Sequence, residues 1–109
     1  MRPGERRAGE NEVLYREVNE RVRELNATFG VEEEHVDFVC ECERLDCTER
    51  MSMSVAEYER IRGDARRFAV RPGHDVPQVE RVVEENERFV VVEKVEGGPA
   101  ELAEAEDPR

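Results

Sequence analysis

Phe38-Val-Cys-Glu-Cys-Glu-Arg-Leu-Asp-Cys47 contains all three cysteines of the chain, Cys40, Cys42 and Cys47. Two thiolates one residue apart, with a third just beyond a polar turn, have the spacing of ligands for a single soft cation. Upstream, Val36, Phe38 and Cys40 alternate with Asp37 and Glu41, interrupted by Val39; downstream, Met51 and Met53 alternate with Arg50 and Ser52. That period of two predicts a β-hairpin with the cysteines at its tip. Side chains two apart share a face of a strand, so Cys40 and Cys42 point the same way and the turn brings Cys47 back over them. The neighbouring glutamates and Arg44 make the loop read as wet, which favours ligands over small buried cysteines. For a fourth ligand the chain offers two histidines. His35 has the opposite parity to Cys40 and Cys42 and faces away unless a bulge intervenes, whereas a Pro72-Gly73 turn presents His74. Cys40, Cys42, Cys47 and His74 are therefore expected to form a closed, structural Cys3His zinc site of zinc-ribbon or knuckle type, with no position left for a catalytic water.

Outward from the hairpin, Leu14, Val18, Val22, Leu25 and Phe29 recur three or four residues apart, which predicts an amphipathic helix from about Asn11 to Phe29, stopped by Gly30, with this stripe in the core. Ser54-Val-Ala-Glu57 has the form of a capping box and predicts a short helix with Tyr58 and Ile61 inward and Gly63 at its close. Phe68-Ala-Val70 reads as a short extended stretch. Val79, Val82 and Val83, a polar turn near Glu85-Asn86, and the β-branched run Phe89 to Val95 predict a second hairpin with a buried strand. The expected fold is a single small α+β domain over residues 11–95. Residues 1–10 and the acidic Ala/Glu-rich stretch 96–109 are expected to be disordered.

The chain has 109 residues, of which 38% are hydrophobic and 41% charged, and it has no tryptophan. So thin a core makes a metal staple valuable. A formal net charge of −11 repels phosphate backbones and anionic headgroups. The charged N-terminus has no apolar stretch behind it, so neither a secretory signal nor a membrane span is expected, and the protein is expected to be cytoplasmic. An odd number of cysteines in a reducing compartment favours metal or free thiols over a disulfide framework.

The segments Arg16–Arg21, Phe38–Cys42, Cys47–Glu49, Glu57–Glu59, Pro72–His74 and Val91–Lys94 resemble a group of small, uncharacterised proteins of actinobacterial type with a C-x-C-x4-C and P-G-H pattern. The resemblance covers most of the chain except its ends. It implies that His74 belongs with the thiols, and it brings no mechanism. A glycine is expected after the second cysteine in many relatives where this chain has Glu43, a departure that bears on the turn more than on the ligands.

Other functions have weaker support. A thiol redox or metal sensor using Cys40, Cys42 and Cys47 is opposed by Glu41, Glu43 and Asp46, whose negative charges disfavour thiolates. A zinc-knuckle nucleic-acid module would need Arg66, Arg67 and Arg71 on phosphates and Phe68 stacked on a base. In so acidic a chain, arginines more simply neutralise its own carboxylates. An iron–sulfur cluster lacks a fourth thiolate. No P-loop, dinucleotide fingerprint or His-Glu-x-x-His sequence is present, and His74-Asp75 has no serine nearby, so no enzymatic activity is expected. The expected role is a non-catalytic interaction or regulatory domain, with another protein as partner.

Overall fold

Strands β1 (His35–Val39) and β2 (Arg50–Ser54) pair antiparallel, with Phe38 opposite Met51 and Val36 opposite Met53, in the register that the alternating pattern predicts. They belong to a computed structural model that describes residues 3–28, 34–44, 46–95 and 98–107. The chain turns directly from β2 into helix α2 (Val55–Ile61) through the expected capping box. Ser54 Oγ accepts the Glu57 N–H at 3.1 Å and Glu57 Oε1 accepts the Ser54 N–H at 2.9 Å, so two otherwise unbonded donors are satisfied reciprocally.

A second sheet contains β3 (Arg67–Val70), β4 (Glu80–Glu85) and β5 (Val90–Lys94) in the order β3-β5-β4, all antiparallel. The predicted hairpin is β4–β5, and the short extended stretch is its third strand. β5 lies in the centre because its three consecutive valines fill both faces. Val91, with Ala69 and Phe89, joins Phe38, Met51, Met53, Val55, Tyr58 and Ile61. Val90 and Val92, with Phe68 and Val70, join Cys40, Cys42 and Ala103 on the other side. The Phe38 and Tyr58 rings stack 4.7 Å apart in the first cluster. The cysteine loop thus rests on a packed sheet.

Helix α1 runs from Pro3 to Thr28, so Pro3–Glu10 are helical where disorder was expected. Proline is well tolerated in a first turn, and the glutamates, arginines and alanine that follow are good helix formers, so low hydrophobicity alone did not mean disorder. The orientation of α1 also differs from expectation. Leu14, Val18 and Leu25 of the predicted core stripe are exposed, and only Val22 packs against the core. The buried face carries Glu12, Val13, Arg16, Asn19 and Glu20. The loops beneath α1 present unpaired backbone groups, and polar side chains satisfy these where apolar ones leave them unbonded. Phe29 and Gly30 lie outside the described residues.

The C-terminal stretch also departs from expectation, because Gly98–Ala105 form helix α3, which packs on α1 and β5 with Ala100, Leu102 and Ala103 buried. Small alanines let the helix approach closely, and charge pairs hold it down: Arg62 with Asp107, and Arg66 with Glu104 at 2.9 Å. Residues 1–2, 96–97 and 108–109 of the two expected disordered ends lie outside the described residues. Among the described residues, no helix is long and apolar enough to cross a membrane.

Candidate metal centre

Beyond β1 the ladder continues for one bond, from the Cys40 N–H to the Glu49 carbonyl at 3.0 Å, and the chain then crosses to β3. Glu41 exchanges bonds with Ala69: its N–H donates to the Ala69 carbonyl at 2.8 Å, and its Oε1 accepts the Ala69 N–H at 2.9 Å. Its other carboxylate oxygen accepts from Tyr58 Oη at 2.7 Å and Asn19 Nδ2 at 2.9 Å. Glu41 is fully buried, so the sequence reading of a wet loop is wrong at this position. Burial pushes its pKa up, against the hydrogen bonds from Asn19, Ala69 and Tyr58. Because alternate residues of an extended chain face opposite ways, locking Glu41 into the core fixes where Cys40 and Cys42 point.

Three polar residues of α1, spaced four apart along one helical stripe, hold the rest of the loop. Asn11 Nδ2 donates to the carbonyls of Cys42 and Arg44, and Tyr15 Oη donates to the Cys47 carbonyl at 3.1 Å. Asn19 brackets Val39, donating to its carbonyl and accepting its N–H, both at 2.8 Å. The sequence reading missed Asn11, Tyr15, Asn19 and Glu41. For the first three, a period of four in uncharged hydrogen-bonding side chains was the available signal.

His74 arrives from the other side. Its N–H bonds to the Arg71 carbonyl at 2.9 Å across a turn in which Gly73 takes φ 87°, a left-handed value that glycine adopts without strain. Nδ1 of His74 lies 3.5 Å from Cys40 Sγ and 3.7 Å from Cys47 Sγ. The ligand atoms of Cys40, Cys42, Cys47 and His74 all lie within 4.8 Å of one another. His35 is elsewhere, half-exposed and 3.7 Å from Glu57.

A tetrahedral site with Zn–S near 2.3 Å and Zn–N near 2.0 Å places sulfur and nitrogen about 3.5 Å apart and two sulfurs about 3.8 Å apart. The His74 distances already have these values, and the widest pair needs at most about 1 Å of closure. Cys40 and Cys42 are buried and Cys47 is half-buried; all three are free thiols. Each sulfur also has a backbone donor. The Arg71 N–H lies 3.1 Å from Cys40 Sγ, and the N–H groups of Arg44 and Glu49 serve Cys42 and Cys47. Such donors spread the negative charge that three thiolates bring to a divalent cation.

Protons distribute unevenly over the three thiols. The hydrogen bond with Cys42, and then burial, push the Cys40 pKa up. That same hydrogen bond lowers the Cys42 pKa to about 5, aided by His74 and the Arg44 N–H. Burial raises the pKa of Cys47. A cation that binds all three sulfurs must displace thiol protons as it does so. Acidic neighbours were expected to disfavour thiolates, yet Glu41 faces the core and local hydrogen bonds govern Cys42.

The arginines and the aromatic ring that would serve a nucleic acid are already engaged. Phe68 is 1% exposed, between Arg16 at 4.5 Å and Lys94 at 5.5 Å from its ring centroid, and offers no free face to a base. Arg60, Arg62, Arg66, Arg67 and Arg71 face Glu84, Glu20, Glu104, Glu93 and Glu49 respectively. Compared with protein-family models, curated proteins and solved structures, the chain matches none.

Proposed function

We propose that this chain is a small, cytosolic, non-catalytic interaction or regulatory domain whose cysteine loop is clamped by a structural zinc ion, held by Cys40, Cys42, Cys47 and His74. The observation that carries the reading is the convergence of four soft and borderline ligands, each sulfur with its own backbone donor. Zinc suits mixed thiolate and imidazole ligation, and four protein ligands leave no open position for water or substrate. The ion joins a turn after β3 to the tip of the β1–β2 hairpin, at the edge of the apolar cluster that contains Cys40 and Cys42. Its partner in this reading is another protein.

Purified under reducing conditions, the chain should contain close to one zinc per molecule. His74→Ala should lose it to a chelator far faster than His35→Ala. Equal retention by the two variants refutes the ligand set.

The closeness of three free thiols, with ligand atoms within 4.8 Å of one another, supports a second reading, a thiol-based redox or metal sensor. That reading requires a reversible change in thiol titre under mild oxidant while zinc is bound. The zinc clamp requires protection of all three thiols until the metal is removed.

A further inference from the structure

Leu14, Val18, Arg21 and Leu25 follow one another at spacings of four, three and four residues along α1. Those are the steps of an a/d seam in a coiled coil. The seam lies across the helix from the buried face formed by Glu12, Arg16, Asn19 and Glu20. Its three apolar members are 55%, 41% and 63% exposed, for Leu14, Val18 and Leu25 in turn. They form a row along one face of the longest helix, where scattered exposed apolar side chains would need no explanation.

The charges on the seam suggest what covers it. Among the described residues most arginines face a carboxylate of their own chain, but Arg21 and the adjacent Glu17 have no charged partner. When α1 is laid antiparallel on a copy of itself, with the two-fold axis between Asn19 and Glu20, Leu14 meets Leu25 of the second copy at both ends. Val18 meets Arg21 of the second copy, and Arg21 is brought beside Glu17 of the second copy. Each apolar layer is then closed and both unpaired charges find partners at once. Glu24, on the same flank as Glu17, lies 3.8 Å from Arg23 of its own helix. A register shifted by one heptad loses both leucine layers and separates the Glu17 and Arg21 charges.

We infer that α1 is a homodimerisation surface, a short antiparallel coiled coil of two copies of this chain joined by Leu14–Leu25 layers and reciprocal Glu17–Arg21 ion pairs. The inference is independent of the metal reading, because the α1 side chains that hold the cysteine loop are Asn11, Tyr15 and Asn19 and not the seam residues. Three apolar side chains per copy make a small interface, so dissociation constants of about 1–100 µM are expected.

Sedimentation equilibrium of the full chain, purified under reducing conditions, should show a monomer–dimer equilibrium in that range. Leu25→Glu removes both leucine layers and should weaken association by roughly a hundredfold, with circular dichroism unchanged because the position is exposed. Val18→Glu serves if that variant misfolds. Glu17→Arg and Arg21→Glu should each weaken association about tenfold by opposing like charges, and the double reversal should restore it. A chain that is monomeric at about 1 mM overturns the inference. So does a dimer indifferent to Leu25→Glu and Val18→Glu, as pairing through the β4 edge would be, and so does failure of the double reversal to recover.

Discussion

Replacing Glu41 by alanine tests how the cysteine loop is held. The side chain is fully buried and accepts three hydrogen bonds, from Asn19 Nδ2, Tyr58 Oη and the Ala69 N–H, at 2.9, 2.7 and 2.9 Å. Alanine removes all the acceptors at once and leaves three buried donors and a hole. Each orphaned donor costs about 1–3 kcal/mol; water entering the hole recovers part of that, so a loss of about 4–6 kcal/mol is expected. A domain of this size has about 5–15 kcal/mol in total, so the variant should be close to unfolding. Tyr58→Phe removes one donor with its bond and leaves Glu41 two others, for a loss of about 1–2 kcal/mol. Glu41→Gln should fall between them, since one amide oxygen cannot replace two carboxylate oxygens facing three donors. Urea unfolding followed by far-ultraviolet circular dichroism, with and without excess zinc, measures all three. A Glu41→Ala protein within about 1 kcal/mol of the parent refutes the reasoning and makes the network incidental.

Four residues elsewhere carry further predictions. Burial raises the pKa of Glu12 to about 8 despite Lys94 Nζ at 2.6 Å, so its folded pKa lies above its unfolded one. The folded chain then holds a proton that the unfolded chain releases, and stability should fall by at most about 5 kcal/mol as pH rises from about 4.5 to 8; Glu12→Gln should flatten that decline in urea titrations. Glu57 moves the other way. Its bond with Arg88 lowers the pKa to about 2, so the stability it contributes is present above its ordinary pKa and is lost as pH falls toward 2, a loss absent from Glu57→Gln in acid titrations. Gly73→Ala meets no atom within 4 Å but forces a side chain into positive φ, so zinc affinity should drop about five- to tenfold in a competitive chelator titration, and less for Gly73→Asn. Arg16 donates to the carbonyls of Ala65 and Ala103; Arg16→Met should leave both without that donor, cost about 2–3 kcal/mol and speed hydrogen exchange in α3 before β5.

Where local rules act alone, the sequence was legible. Ser54 and Glu57 meet every requirement of a capping box within four residues, and the alternation around Phe38 and Met51 leaves one register that buries both. Strand parity separated His74 from His35 without knowledge of the loops between. Legibility stopped where a segment's partner is backbone. The apolar spacing on α1 is real, but the face that turns inward is decided by the free carbonyl and amide groups of the cysteine loop, and these are satisfied by Asn11, Tyr15 and Asn19. Hydrophobic periodicity carries no information about that. Charge misled in the same way at Glu41, an acid whose donors come from three distant elements, and in α3, where Arg16, Arg62 and Arg66 hold a stretch that composition reads as a tail.

Zinc K-edge X-ray absorption on the reduced, purified chain is the most direct test of the clamp. Three sulfurs near 2.3 Å and one nitrogen near 2.0 Å are predicted, at about one zinc per chain, with the nitrogen replaced by oxygen in His74→Ala. A chain that folds to the same far-ultraviolet spectrum with no bound zinc, or a zinc shell made of oxygen alone, contradicts the account.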